Sequence, residues 1–332
     1  MKNNILILSP GRRVDLVESF VREFAEVSCG KVFTLDMDKF APALYTSAHA
    51  SFVINKDFDN IDLYLESIID ICKSNSIKFI ITLIDPELLL LSENKEKFEA
   101  NGIQIIVSSC EAIKSTFDKY EFFIKFRNSL NVVPTYSNFE DVTKALKAGL
   151  LNYPIFKKIR TGSGSQGIGR LFNYDDLLIY KNKQEYIFQP CLAHKEYGVD
   201  VYIDFVSGKV VSLFIKQKLA MRSGETDKAI SVFRQDIIDE VLKVEGLGFK
   251  GPIDIDIFED KDGRLYVNEI NPRFGGGYPH AYYSGINFIK LLINNINGLE
   301  NKPRIGGYKE NVVMMKYNGL IFKDFSELII KA

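Results

Sequence analysis

Gly251-Pro252-Ile253-Asp254-Ile255-Asp256-Ile257-Phe258 is followed by Glu259-Asp260-Lys261-Asp262-Gly263 and then by Arg264-Leu265-Tyr266-Val267-Asn268-Glu269-Ile270-Asn271-Pro272-Arg273. Two β-branched runs around a polar, Gly-ended turn predict a β-hairpin. Alternation puts Asp254 and Asp256 on one face of its first strand, and Glu269 and Asn271 on one face of the second. Acidic residues in such a pattern often mark only a solvated face. Here the flanking isoleucines and valine point instead to a buried hairpin, where an unpaired carboxylate is costly. Asp256, Glu269 and Asn271 then form an all-oxygen set suited to a hard divalent cation at ~2.1 Å, with positions left for phosphate oxygens. Arg273, two residues on, adds a guanidinium suited to bidentate contact with phosphate.

Upstream lies a second phosphate signal. Tyr153-Pro154-Ile155-Phe156-Lys157-Lys158-Ile159-Arg160 reads as a short strand ending in bases, and Thr161-Gly162-Ser163-Gly164-Ser165-Gln166-Gly167-Ile168-Gly169 follows it. Glycine and serine alone would describe a plain flexible hairpin. The preceding lysines and arginine favour a loop whose backbone N–H groups, at Ser163, Gly164 and Ser165 among others, close over phosphates. It is not a Walker A loop, because no Gly-Lys-Ser/Thr follows and it joins two strands. Tyr186 to Leu192 reads as a strand leading into a linker, and Glu196 to Phe205 alternates as a half-buried antiparallel strand.

The first third has a different rhythm. Apolar runs at Ile5 to Ser9, Lys31 to Asp36, Lys78 to Ile84 and Ile103 to Ser108 alternate with helical spacing at Val14 to Phe24, Ile61 to Lys73 and Glu87 to Ala100. Strands alternating with helices predict an α/β domain with a parallel sheet covered on both faces. Ligands bind such sheets beyond the carboxyl ends of the strands, where Gly11-Arg12-Arg13, Asp36, Asp38 and Asp85-Pro86-Glu87 stand. A lone Gly11 does not make a dinucleotide fingerprint. Arg12 and Arg13 suit a carboxylate or phosphate if they are more than a solvated helix start. Asp85 and Glu87 suit a substrate ammonium if they are more than helix N-terminal acids. After Cys110 the pattern changes to a helix over Ala112 to Leu130 and another over Glu140 to Ala148, so a second domain is expected from residue 112.

Composition narrows the function classes. In 332 residues, 42 bases balance 43 acids to a net charge of -1, so no global field draws the chain to nucleic acid or anionic lipid. Four scattered cysteines and three histidines offer no metal spacing or disulfide framework. No apolar run reaches a membrane span or a signal h-region. A cytoplasmic protein without nucleic-acid or membrane partners is the expectation.

With these motifs in order, the chain resembles the ATP-grasp superfamily, and more narrowly the single-copy relatives of the carbamoyl-phosphate synthase large subunit. Lys157 to Gly167, Gln189 to Tyr197 and Asn268 to Gly277 carry the resemblance. It implies a Rossmann-like pre-ATP-grasp domain over 1–111 and an ATP-grasp domain over 112–305. The latter would consist of two α+β subdomains, a lid at about 112–190 and a metal-binding part at about 191–305, before a closing segment over 306–332 with one strand and one helix. It also implies ATP with Mg2+, or Mn2+, as the metal. Lys119 and Lys158 resemble the phosphate-binding lysines, with Lys157 one residue out of register as the alternative. Gln189 with the backbone of Cys191 and Leu192 resembles the adenine linker, and Glu196 the ribose-binding carboxylate. Asp256, Glu269 and Asn271 match the metal ligands, Asp256 standing where the synthase usually has glutamine. Arg273 resembles the arginine over the transferred phosphate. Arg222 stands where the synthase has a histidine beside its acyl phosphate, which argues against bicarbonate.

The resemblance implies a ligase that phosphorylates a small-molecule carboxylate and passes the acyl group to an amine, with Lys158, Arg222 and Arg273 neutralising charge. Arg12 and Arg13 would then hold an acidic group, and Asp85 with Glu87 an ammonium group. Cys191, His194 and His280 are read as packing or polar loop residues. Two alternatives stand beside the ligase: half of a split synthase acting on bicarbonate with a partner, and a nucleotide-binding regulator without turnover. Single-copy relatives often pair, so a homodimer is expected.

Overall fold

The computed structural model describes residues 3–54, 60–162, 167–192, 194–222 and 224–329. The first third forms a five-stranded parallel sheet from β1 (Asn4–Leu8), β2 (Val32–Asp36), β3 (Ala50–Val53), β4 (Ile77–Thr82) and β5 (Gln104–Ile105), in the order β3-β2-β1-β4-β5. All five residues of β1 are buried. Ile5 and Ile7 enter one core while Leu6 and Leu8 enter the other, as the alternation of a strand covered on both faces requires.

The core around Ile5 and Ile7 also takes Phe20 and Phe24, and it continues into Phe214, Phe274, Tyr278 and Phe288 of the C-terminal half. The carboxyl ends of the parallel strands are therefore fixed against the second sheet by shared apolar packing.

That sheet has six strands: β9 (Lys195–Ile203), β10 (Val210–Arg222), β11 (Glu225–Ser231), β12 (Gly251–Glu259), β13 (Leu265–Asn271) and β14 (Val313–Met315), ordered β13-β12-β9-β10-β11-β14. One face supplies an apolar core through Val199, Val201, Leu213, Ile215, Ile253, Ile255 and Ile257. Alternation sends the residues between them, nearly all polar or charged, to the other face. A smaller sheet, β7-β6-β8, from β6 (Ile155–Ile159), β7 (Gly169–Leu171) and β8 (Tyr186–Pro190), packs on the helix Phe139–Lys147.

The predicted hairpin exists with strands at 251–259 and 265–271. The predicted helix over 112–130 is two helices, Cys110–Phe117 and Lys119–Phe126. They break at Asp118, whose carboxylate caps the second by accepting from the backbone N–H groups of Tyr120 and Glu121. The predicted helix over 87–100 breaks at Asn94, and the strand expected over 103–108 pairs only at Gln104–Ile105. Strand β3, the short edge of the first sheet, was not anticipated. At the C-terminus the expected strand is β14, while the expected helix reduces to one 3-10 turn, Phe325–Glu327. Among the described residues no helix is long and apolar enough to cross a membrane.

Candidate active site

The charged face of the six-stranded sheet is built by register. Asp254 pairs with Asn271 and Asp256 with Glu269 between β12 and β13. Across the other edge of β12, Asp254 stands opposite Asp200 and Asp256 opposite Gly198 on β9. Gly198 pairs in turn with Lys216 on β10. Four adjacent strands thus present acids and lysines on one side. Glycine suits position 198 because a Cβ there would come 3.1 Å from Lys216 Cε and 3.3 Å from Lys218 Cε.

Lys218 ties this face together. Its Nζ donates to Glu196 Oε1 at 2.7 Å and lies 2.6 Å from Asp256 Oδ1. Burial opposes its charge, but Asp256, Glu196 and Asp254 outweigh burial and hold its ammonium above the usual lysine range. Asp256 Oδ1 is buried and has this ion contact without an aligned hydrogen bond. Burial, reinforced by Asp254, Glu269 and Glu196 against the pull of Lys218, pushes the Asp256 carboxyl up to about 7. Among the described residues no three Asp, Glu, His or Cys side chains by themselves form a metal-holding group; the amide oxygen of Asn271 accepts from Arg273 Nη2 at 3.3 Å. Glu269 and Asn271 lie within a 3.4 Å contact of each other on β13. Carboxylate oxygens of Asp256 and Glu269 with the amide oxygen of Asn271 on one sheet face are hard donors of the kind a divalent cation takes.

The small sheet supplies the opposing cation. Lys158, on β6, is buried and donates to Asn268 Oδ1 at 2.9 Å. Burial lowers its pKa to about 8, with Lys119 adding repulsion and Glu269, Asp256 and Glu196 pulling the other way. Lys157 faces the other side of the strand, where Nζ donates to Gly167 O at 2.9 Å and lies 4.8 Å from the ring centres of both Tyr180 and Tyr186. Lys119 donates to Gly162 O at 2.7 Å, and burial lowers its pKa while Glu269, Asp118 and Asp85 oppose that shift. In both lysines burial lowers the pKa and the charge of Glu269 opposes that shift.

The remaining expected residues fall in different places. Ser163, Gly164 and Ser165 lie outside the described residues. Gln189 is buried and donates to Thr135 Oγ1 at 2.8 Å, so its amide is engaged inside the small domain, while Cys191 is exposed on the linker and Leu192 is half-buried. Glu196 opens onto the charged face through Lys218. Arg222 sits at the end of β10, largely exposed, with its guanidinium 3.1 Å from Asp227. His280 is buried under Phe214 with its Nε2 at 2.9 Å from Val312 O.

Asp85 and Glu87 require correction. Asp85 forms a bidentate ion pair with Arg273, Nε to Oδ1 at 2.7 Å and Nη2 to Oδ2 at 3.0 Å. Glu87 is buried and accepts from Ser9 at 2.6 Å, Tyr64 at 2.8 Å and Thr82 at 2.6 Å. Three hydroxyl donors occupy that carboxylate within the first domain, leaving it no ammonium role. Arg13 crosses between domains, donating to Gly275 O at 2.6 Å. Burial, then repulsion from Arg273, lowers its pKa to about 10 against the attraction of Glu225, Asp254 and Asp200. Arg12 is exposed.

Asp200, Lys216 and Lys218 were missed in the sequence, although Leu213-Phe214-Ile215-Lys216-Gln217-Lys218 carries the signal: two lysines at period two closing an apolar run. Lys216 and Asp200 form a fully buried ion pair.

Known proteins share parts of this architecture. Residues 5–106 match the family model described as PylC-like, N-terminal domain, and residues 182–318 match ATP-grasp in the biosynthetic pathway with Ter operon. Neither model spans half of the chain, so each likeness is to its own segment: residues 5–106 to a PylC-like N-terminal domain and residues 182–318 to an ATP-grasp domain. Among solved structures, N5-carboxyaminoimidazole synthetase from Staphylococcus aureus complexed with ADP superposes with a TM-score of 0.72 at 20% identity, covering 95% of this chain and 82% of that one. Biotin carboxylase from Campylobacter jejuni gives 0.74 at 20% identity, over 94% and 74%. The biotin carboxylase domain of Hydrogenobacter thermophilus 2-oxoglutarate carboxylase, in complex with MgADP, ADP and bicarbonate, gives 0.74 at 17% identity, over 94% and 73%. At these identities the likeness shows the fold. No curated protein matches the chain in sequence.

Proposed function

We propose that the protein is an ATP-dependent ligase that phosphorylates a small-molecule carboxylate and transfers the acyl group to an amine. The observation that carries this reading is the union of an acidic sheet face, Asp254 paired with Asn271 and Asp256 with Glu269, with buried Lys158 of the small sheet, which reaches that hairpin at Asn268. Asp256, Glu269 and Asn271 would hold the magnesium, which when bound neutralises phosphate charge. Lys119 and Lys158 bind phosphate oxygens, Glu196 the ribose, and the linker at Cys191 and Leu192 the base. These assignments rest on position and charge; two of the structural relatives hold ADP or MgADP.

The chemistry asks little of the side chains beyond placement. A carboxylate oxygen of the substrate attacks the γ-phosphorus and ADP leaves. The amine nitrogen then attacks the acyl carbon, inorganic phosphate leaves, and the amine gives up a proton. Arg273, fixed by Asp85, stabilises charge on the transferred phosphoryl group, and Lys158 accompanies it from the small sheet. Arg222, at the end of its strand, would join them only if the β10–β11 hairpin tip turned inward. The domain limits 1–111, 112–305 and 306–332 are part of this reading, as is a homodimer.

A second reading has bicarbonate as the acid, favoured by the bicarbonate in the Hydrogenobacter thermophilus complex. Acid-dependent ADP release with trapping of the acyl phosphate by hydroxylamine distinguishes the two. A carboxylic acid yields a stable hydroxamate, whereas bicarbonate raises ADP release without one.

A further inference from the structure

The strand order of the first sheet reverses at β1, with β2 and β3 on one side of it and β4 and β5 on the other. In open α/β sheets the crevice beyond the carboxyl ends of two such neighbours is where a ligand binds. Here a loop of the second domain meets it. Arg13, just beyond β1, and Asp85, just beyond β4, both reach Arg273-Phe274-Gly275, the segment that follows β13.

The two contacts restrain different parts of that segment. Asp85 takes the guanidinium of Arg273 itself. Arg13 takes the backbone next to it, where its Nη2 donates to Gly275 O at 2.6 Å and to Phe274 O at 3.4 Å. Phe274 is buried, its ring roughly perpendicular to that of Phe20 with 5.6 Å between centroids, and Phe20 lies on the helix Val14–Glu26 that Arg13 precedes. On its other side the peptide lies against the acidic face, since a Cβ on Gly275 would come 2.5 Å from Asp254 Cγ. The chain after Arg273 is therefore held by a charge-assisted bond, an aromatic contact and a close approach that only glycine allows.

We infer that Arg13 is a positioning residue for Arg273: it fixes the peptide that carries Arg273 while Asp85 fixes the guanidinium, so the first domain aims the arginine from two points. This rests on the ligase reading, in which Arg273 stabilises the transferred phosphoryl group. The direction of a long side chain follows its Cα–Cβ bond, and a misplacement of about 1 Å at such a group is enough to cost most of its effect. Asp85 alone leaves the backbone free to tilt, and Arg13 alone leaves the guanidinium free to rotate. Because Nη2 of Arg13 is engaged by two carbonyl oxygens of the chain, its part is exerted through Arg273.

The test is calorimetric titration, in the presence of Mg2+, with two probes: ADP and the non-hydrolysable β,γ-methylene-ATP, which adds the phosphoryl group that Arg273 would face. It is run on wild type, Arg13→Met, Arg13→Lys, Arg273→Ala and the Arg13→Met/Arg273→Ala double variant, with circular dichroism to establish folding. Arg13→Met should weaken the analogue about tenfold with ADP affinity unchanged, and Arg13→Lys, which can still donate to a carbonyl, should recover most of that loss. In the Arg273→Ala background Arg13→Met should have no further effect, the mark of two residues acting through one group. If Arg13→Met does not fold, Arg13→Gln takes its place in both backgrounds. Unchanged analogue affinity in the folded variant, an equal loss for ADP and analogue, or a further loss of similar size in the Arg273→Ala background overturns the inference and leaves the ligase reading standing. Wild-type protein that binds neither probe overturns the ligase reading and the inference with it.

Discussion

Asp85, the first residue of the helix after β4, grips Arg273, two residues beyond Asn271, in a two-pronged ion pair with contacts of 2.7 and 3.0 Å. The residues are 188 apart in sequence, and both are largely buried. The pair aims the guanidinium and joins the first domain to the hairpin. Asp85→Ala frees Arg273 to rotate, and we expect kcat to fall about 10- to 100-fold with the KM for ATP nearly unchanged. Stability should fall by about 1–3 kcal/mol, between the exposed and buried ion-pair limits. Steady-state ADP release and urea denaturation of this variant measure both.

Lys158 and Lys157 are adjacent but face opposite sides of β6, so their loss should separate cleanly. Lys158→Met is expected to reduce ATP turnover at least about 100-fold, whereas Lys157→Met should cost the small sheet its contacts with Tyr180 and Tyr186 and leave turnover within a few-fold of wild type.

Lys158 also sets a pH signature. Its pKa is about 8 in the folded chain against the ordinary lysine value of 10.5. Between those values the unfolded chain keeps a proton that the folded chain has lost, so stability rises with pH across that window. Below pH 8 the folded chain bears the full cost of a buried ammonium, at most about 3 kcal/mol. Denaturation of wild type and Lys158→Met on both sides of the window should therefore converge as pH rises. Parallel profiles would show that Lys158 is not the group responsible.

Glu87 is a structural anchor. Glu87→Gln leaves three buried hydroxyls facing a poorer acceptor and should destabilise the chain by about 1.5–3 kcal/mol. Amine affinity should not change; a loss of affinity at unchanged stability would restore its role in substrate binding.

Glu269→Gln removes a charge from the donor set without altering the hairpin's shape. ATP turnover should be abolished while circular dichroism and the melting transition stay close to wild type. Wild-type turnover in this variant would place the metal elsewhere.

Much of this architecture was legible because it rests on short-range pattern. Alternation on β12 and β13 placed Asp254, Asp256, Glu269 and Asn271 on one face, and the register pairs them as that face requires. The alternation of strand and helix announced the parallel sheet, though not β3, which is short and half-buried. Asp118 broke an apparently continuous helix because its carboxylate caps backbone N–H groups, a preference that outweighs apolar spacing. Partners distant in sequence were not legible. Asp85 and Glu87 looked equivalent at a helix start, yet one reaches Arg273 and the other is enclosed by Ser9, Tyr64 and Thr82. Only tertiary packing separates them. The adjacent lysines at 157 and 158 were ambiguous until the face of β6 that meets Asn268 was known.

The central claim is carboxylate activation, and the most direct measurement is ADP release from Mg2+ and ATP with pooled carboxylic acids and hydroxylamine. The account predicts that one pool gives ADP and a hydroxamate in equal amounts, and that both disappear in Glu269→Gln. Protein that binds MgADP but releases no ADP above background with any pool or with bicarbonate would contradict it.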